Sequence, residues 1–500
     1  VLREELETYR EAVRRDPEDG PARLRLALAL LDQGGPDAES SEELLSELRE
    51  AVRLCPDNPL AHTMLGVVLR GKGLREEAVS AWEQAARLAP EDPVVHAFLG
   101  DALCEAGRYA DAVPHWRQAV RACPENAEYR DNLVIALARD IETTAGDAAE
   151  RRARAQERLA AEPDAPEMHA VLGWLLSQER QLTEAIHHWR EAIRLGGGTA
   201  GIHNNLGLAL FYTGAIAESI DEFREAARLE PSLAASHTNR GTALRALGRS
   251  REAVDAFREA LALDPEETTA RHYLADLLAE LNEPDEAISH YREVIRRMPQ
   301  RAPAYRGLGD ALDQLGRVED AIAAYRQALA LDRDDPVARY HLAVALDRTG
   351  RREEAIPEYR ETIRLCPNHA GAHNNLGVLL FERAKDLPAG PERDAGLKAA
   401  EEHYCAALRA NLGDAEALFN LGEVLSLTGR PAEAVVAFRQ AARLNPDDAE
   451  TQAGLAAALE ATGAREEAAD AWSRVLASGD AVLAAHAEER LRALRLSAGD

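Results

Sequence analysis

The chain returns to the same residues every 34 positions: Pro56, Pro90 and Pro124 stand 34 apart, and so do Pro231, Pro265 and Pro299. Between such marks lie stretches such as HNNLGLALFYTGAIAESIDEFREAARLEP over 203–231 and AHNNLGVLLF over 372–381. A fixed period of this length belongs to stacked supersecondary units, each unable to bury its apolar face without its neighbours. One such array can absorb all 500 residues, a length that would otherwise imply several domains.

Alanine, leucine, arginine and glutamate dominate and β-branched runs are few, so the units are helical. Within each stride the order is small residue, Leu, small residue, aromatic, small residue, Pro. This pattern resembles the tetratricopeptide repeat family, with small residues at positions 8, 20 and 27 and Pro at 32. Position 8 is Gly or Ala in twelve of thirteen strides, from Ala27 through Gly207 to Ala456, and position 11 is Leu in all thirteen. Position 24 is aromatic in twelve of fourteen second helices, among them Trp82, Trp189, Tyr325 and Phe438. Small residues let two crossing helices approach, and the aromatic fills the space between them. The Pro ends one unit and opens the next. The resemblance implies an all-α fold, a right-handed α-solenoid superhelix of antiparallel helix pairs (A and B), with about thirteen repeats over 20–480.

Residues 1–16 read as a B helix without its A helix, and 482–496 as a capping helix whose Glu489 and Arg490 face solvent. The chain opens on Val1 in mid-repeat, so a longer parent protein is expected. Three strides are stretched between positions 8 and 20: Ala27 to Leu44 and Val134 to Arg151 by five residues, Gly377 to Ala400 by eleven. These insertions read as longer helices or loops at the A–B turn. The fourth repeat departs furthest, with Val134, Arg151, Ala155 and Arg158 at positions 8, 20, 24 and 27. It is expected to be the least well-packed joint.

No catalytic constellation is found, no cofactor is implied and no metal site is expected. Histidines recur at position 4 (His62, His96, His169, His203, His237, His373) and at position 23 (His115, His188, His290, His403). Equal registers lie one repeat apart and do not converge on one ion. The Gly196-Gly197-Gly198 run follows no strand and lacks a following Lys-Ser/Thr, so it reads as a flexible inter-repeat turn and not as a phosphate loop. The formal charge of −28 argues against nucleic acid and membrane surfaces as partners. No apolar run has the ~18 residues of a membrane span. The five cysteines form no C-x-x-C and point to a reducing, cytoplasmic setting.

Function must then come from surface. Positions 2, 6, 9 and 13 of helix A point away from the stack, and the resemblance implies that this stripe lines a concave groove for extended peptides. Position 6 is Asn132, Asn205, Asn239, Asn375 and Asn420. The H-N-N-L-G of 203–207 and 373–377 resembles the asparagine ladder in the repeat arm of O-linked N-acetylglucosamine transferases, where amides hold a ligand backbone. An asparagine both donates and accepts, so it reads a peptide unit without regard to side chain. The other reading is that these amides bond neighbouring helices, and both stay open. Acids dominate the stripe, among them Asp101, Asp276, Asp310 and Glu423, which implies a basic, disordered segment as ligand. Trp174 and Tyr340 are the candidate aromatic anchors. The expected function is a non-catalytic protein-binding scaffold. Its rival is the substrate-recruiting arm of a larger enzyme, a glycosyltransferase or kinase. Oligomeric state has no signature.

Overall fold

A computed structural model describes residues 2–34, 42–478 and 480–496. They form helices throughout, divided into two units, Val1–Ala270 and Arg271–Asp500. In the first unit α1 (Leu2–Arg15) precedes the pairs α2 (Gly20–Gly34) with α3 (Glu42–Leu54), α4 (Pro59–Gly71) with α5 (Arg75–Leu88), and α6 (Pro93–Glu105) with α7 (Tyr109–Ala122). There follow α8 (Ala127–Thr144) with α9 (Ala148–Ala161), and α10 (Pro166–Gln178) with α11 (Leu182–Ala192). Then come α12 (Ala200–Tyr212) with α13 (Ile216–Leu229), and α14 (Ala234–Ala246) with α15 (Ser250–Leu263). The second unit takes up α16 (Thr268–Glu280) with α17 (Pro284–Arg297), α18 (Ala302–Gln314) with α19 (Val318–Leu331), and α20 (Pro336–Arg348) with α21 (Arg352–Leu365). It continues with α22 (Ala370–Lys385) and α23 (Pro391–Ala410), α24 (Ala415–Leu427) and α25 (Pro431–Leu444), α26 (Ala449–Ala461) and α27 (Arg465–Ala477), then α28 (Ala481–Leu496).

Eight pairs close because the first helix has a glycine, and so no side chain, where the second presents a ring. A Cβ added at Gly66 would lie 2.5 Å from Trp82, at Gly207 2.7 Å from Phe223, and at Gly309 2.5 Å from Tyr325. Those rings are buried, Trp82 fully so. The A–B turn needs a left-handed residue at position 15, supplied by glycine at Gly73, Gly107, Gly214 and their equivalents, with φ from +72° to +88°. Arg180 and Asn282 hold that conformation without being glycine, at φ 60° and 63°, a strained choice for arginine.

The insertions take two forms. In the fourth repeat the extra residues lengthen α8, and in the eleventh they lengthen both α22 and α23. The first insertion falls largely on 35–41, outside the described residues. In the fourth repeat α8 packs on α7 and α10 more than on its partner α9. Only Ala155 of α9 is buried, and Arg158, at the register of the small residue, donates to buried Asp140 of α8 at 2.5 Å. The Gly196–Gly198 run is the turn between α11 and α12, with Gly196 exposed at φ 85° and Gly197 buried. The chain widens into a π-turn over Ile193–Gly197, and a Cβ at Gly197 would lie 2.6 Å from that of Pro166. At α28 the expected solvent-facing charge is half realised: Glu489 is exposed, but Arg490 pairs with Glu460 of α26.

Candidate functional site

Register decides what each A-helix side chain meets. Position 5 faces the ring of its own repeat, as in Phe419 against Phe438 (centroids 5.7 Å) and His272 against Tyr291 (5.8 Å). Position 6 faces the ring of the preceding repeat: Phe98 stacks on Trp82 at 5.6 Å, and His341 meets Tyr325 at 5.8 Å. At Gly307 and Gly454 a Cβ would come within 2.4 Å of Tyr291 and 2.7 Å of Phe438. Position 6 is therefore a seam between repeats as well as a place on the A-helix face.

The five asparagines divide along that seam. Asn239 donates to Asn204 Oδ1 at 2.9 Å, Asn420 to Asn374 Oδ1 at 3.2 Å, and Asn375 to the Tyr359 hydroxyl at 3.2 Å. In each case the acceptor belongs to the preceding repeat. Asn132 and Asn205 are half-buried and have no bonded partner among the described residues.

The acids divide too. Asp276 accepts from the Tyr291 hydroxyl at 2.7 Å, and Asp310 from Tyr325 at 2.8 Å and His341 at 2.7 Å. Burial first, and then these carboxylates, push both tyrosine hydroxyls far above their ordinary range, while Asp310 raises His341. Asp101 shares Arg70 with Glu105. Glu423 has no ion pair among the described residues; burial pushes its carboxyl up, Lys385 pulls it down, and Glu450 and Glu382 push it further up. Tyr340 is occupied as well: its ring lies 4.4 Å from that of His369, and its hydroxyl would be 2.7 Å from a Cβ on Gly371.

Two of the expected residues, Trp174 and Asn205, come together in a cavity of about 480 Å³ within the first unit. Its lining comes from α8 (Asp131, Val134, Ile135, Ala138, Arg139), α10 (Ala170, Trp174), α12 (Gly201, Ile202, Asn205) and Trp189 of α11. The space exists because Ala138, Ala170 and Gly201 remove volume where three A helices converge. Ile135 is 53% exposed, a large apolar side chain facing solvent at the cavity. One wall is tied across two repeats: Thr199, the N-cap of α12, accepts from Ile202 N at 3.3 Å and donates to Asp131 Oδ1 at 2.6 Å. The sequence reading singled out Trp174 and Asn205 by register. It does not single out Asp131 or Ile135, although Ile135 occupies position 9 of the same stripe.

The histidines are struts. His62, His96 and His373 bond through Nε2 to the carbonyl six residues back, at 2.8, 2.9 and 3.0 Å from Pro56, Pro90 and Pro367. Positions 4 and 23 also meet within a repeat: His96 with His115, His169 with His188 and His373 with His403, each Nδ1 to Nδ1 at 3.0 Å. Among the described residues no group of three or more His, Cys, Asp or Glu is arranged to hold a metal ion, and no helix is long and apolar enough to cross a membrane.

Helix pairs closed by a position-8 glycine under a position-24 ring define a class of repeat scaffold. The tetratricopeptide repeat family model matches residues 6–59, 37–93, 171–234, 238–303, 274–336, 306–370 and 340–391, and two related models of the same repeat match 415–448 and 93–118. The chain belongs to the tetratricopeptide repeat family. No curated protein matches it significantly. Among solved structures it is similar to MamA 41-end from Desulfovibrio magneticus RS-1, at 25% identity over 34% of this chain and 96% of that one, with a TM-score of 0.33. The Cut9–Hcn1 hetero-tetramer of the APC/C matches at 15% identity over 91% of this chain and 92% of that one, with a TM-score of 0.42. YrrB, described as a repeat protein with an unusual peptide-binding site, matches at 21% identity over 40% of this chain and 98% of that one, with a TM-score of 0.34. At these TM-scores the likenesses say nothing of what this chain binds.

Proposed function

We propose that this chain is a non-catalytic scaffold that holds an extended, basic protein segment along the A-helix face of its first unit. The observation that carries the reading is the cavity between α8, α10 and α12, where exposed Ile135, half-buried Trp174 and the unbonded amide of Asn205 converge. Apolar walls with a few placed polar groups are the composition of a ligand site. Exposed Ile135 and the open part of Trp174 gain by covering, and a free amide can take one peptide unit of the ligand. Basic character follows from the acid surplus of the chain, 87 Asp and Glu against 59 Lys and Arg. The paired acids Asp101, Asp276 and Asp310 contribute background field more than direct contacts, and Glu423, on the A-helix face of the second unit, contributes likewise.

The test is selection from a random twelve-residue peptide display library on the purified chain, with an Ile135→Glu variant in parallel. The reading expects peptides enriched on the parent chain and lost on the variant, whose fold should be intact because the substituted side chain is exposed. Failure to enrich any peptide, or equal enrichment on both proteins, would overturn it.

A further inference from the structure

The cavity between α8, α10 and α12 is apolar along most of its lining, yet it contains a carboxylate, Asp131, that no cation contacts among the described residues. Asp131 stands in no ion pair among the described residues. One of its oxygens, Oδ1, is taken by the Thr199 hydroxyl at 2.6 Å. The cation that shares the lining, Arg139, is turned to Glu142, which its Nη1 meets at 2.9 Å. Arg130, next in sequence, directs its Nη1 to the carbonyl of Pro124 at 2.5 Å and acts on Asp131 only through its field. Burial pushes the Asp131 carboxyl up, the Thr199 donor pulls it back, the field of Glu230 pushes it up again and the field of Arg130 lowers it, with the net shift upward. A half-buried carboxylate among isoleucine, valine, alanine and tryptophan is costly unless something pairs with it.

We infer that this cavity is a subsite for one basic side chain of the bound segment, arginine or lysine, whose cationic head pairs with Asp131. The inference rests on the peptide-binding reading above and deepens it. Long basic side chains have an apolar stem and a charged tip. Val134, Ile135 and Ala138 lie on α8 beside Asp131 and offer the stem a surface. Trp174 and Trp189 add aromatic rings to the lining, and a cation near a ring face is attracted to it. The Thr199 hydroxyl fixes the carboxylate by holding Oδ1, leaving Oδ2 for the incoming donor. Charge-assisted bonds of this kind, made away from bulk water, discriminate strongly between a cation and its neutral isostere.

The test uses matched nonapeptides, taken from a sequence enriched in the display experiment and identical except at one position, which holds arginine, its neutral isostere citrulline, or norleucine. On the parent chain the arginine peptide should bind about tenfold or more tightly than the citrulline peptide. On Asp131→Asn, which keeps an oxygen for Thr199, the arginine advantage should shrink to about threefold or less while the citrulline peptide binds as before. Equal affinity for arginine and citrulline on the parent chain overturns the inference and leaves the peptide-binding reading standing. An arginine preference that survives Asp131→Asn also overturns it, since the charge would then be read elsewhere. If no enriched sequence exists to test, both readings fall together. Circular dichroism of the variant separates lost recognition from lost fold.

Discussion

Asn205 and Asn239 occupy the same register one repeat apart, yet Asn239 is bonded to the preceding repeat and Asn205 is not. The difference lies in the neighbours: Asn239 finds Asn204, whereas Asn205 opens onto the cavity beside Trp174. Sequence marks both as position 6, and spacing alone cannot say which amide is spent. Their substitution should therefore have opposite signatures. Asn205→Ala should weaken peptide binding by about 0.5–1.5 kcal/mol with the melting temperature unchanged, and Asn239→Ala should lower stability by a similar amount while affinity holds. Titration calorimetry beside thermal melts checks the pair, and matching behaviour of the two variants would refute the division. The position-8 glycines are legible from sequence because a small residue under a ring recurs at one register, and in eight repeats that residue is glycine. The left-handed position 15 was equally present in the sequence but went unread. Arg180 pays there in backbone strain and is exposed with φ 60°, so Arg180→Gly should stabilise the chain by about 0.5–1.5 kcal/mol, measured by denaturant unfolding.

Helix α9 is the element that sequence marked as weakest, and its packing gives the reason. With Ala155 where a ring belongs, α8 and α9 lack the knob that closes the other pairs. The Arg158–Asp140 bond substitutes for it, with the Asp140 side chain 6% exposed and the Arg158 side chain 37% exposed. Removing one partner leaves a buried carboxylate or an empty site, so Arg158→Ala or Asp140→Ala should cost about 1–3 kcal/mol, reduced from fully buried values by the exposure of the arginine. Amides of α9 should exchange faster than those of α5 or α11, whose rings Trp82 and Trp189 are buried. Uniform protection along the first unit would sink this reading. What sequence did not deliver at this scale is the cavity. It depends on α8, α10 and α12 converging, on the lengthened α8, and on a hydrogen bond between residues two repeats apart. Periodicity describes one repeat and its neighbour, so a contact from Asp131 to Thr199 lies beyond its reach.

Taken over the whole chain, the repeated spacing has an acid-sensitive consequence. The same cross-helix pairing of positions 4 and 23 places a histidine against a histidine in the third, fifth and eleventh repeats, 3.0 Å apart each time. In His96 and His373 the Nε2 proton goes to a proline carbonyl, so Nδ1 is left as the acceptor and the position-23 partner supplies the proton between them. Burial, and then the facing imidazole, depress the partner's affinity for a second proton. His115 and His403 are lowered below the ordinary range, and His188 is lowered to about 4. Asp111 opposes the shift at His115, Glu191 opposes it at His188, where His187 adds to it, and at His403 Glu402 opposes it while Arg360 adds to it. A histidine whose folded pKa lies below its unfolded value binds fewer protons folded than unfolded. Stability is then intact above the unfolded value of about 6.5 and declines as pH falls from there towards the folded value. His341, raised by Asp310, works in the other direction but is a single group. Paired carboxylates such as Glu293, lowered to about 2 by Arg296 and Arg297, hold their contribution until the pH falls below about 4.5. The chain should therefore begin to lose stability between pH 6.5 and 5, before its ion pairs are touched. A variant carrying His115→Gln, His188→Gln and His403→Gln keeps polar side chains at these sites and removes the protons that titrate. Its melting temperature should change less than the parent's between pH 7 and 5, recorded at fixed ionic strength. Parallel profiles for the two proteins would show that the paired histidines do not set the acid response.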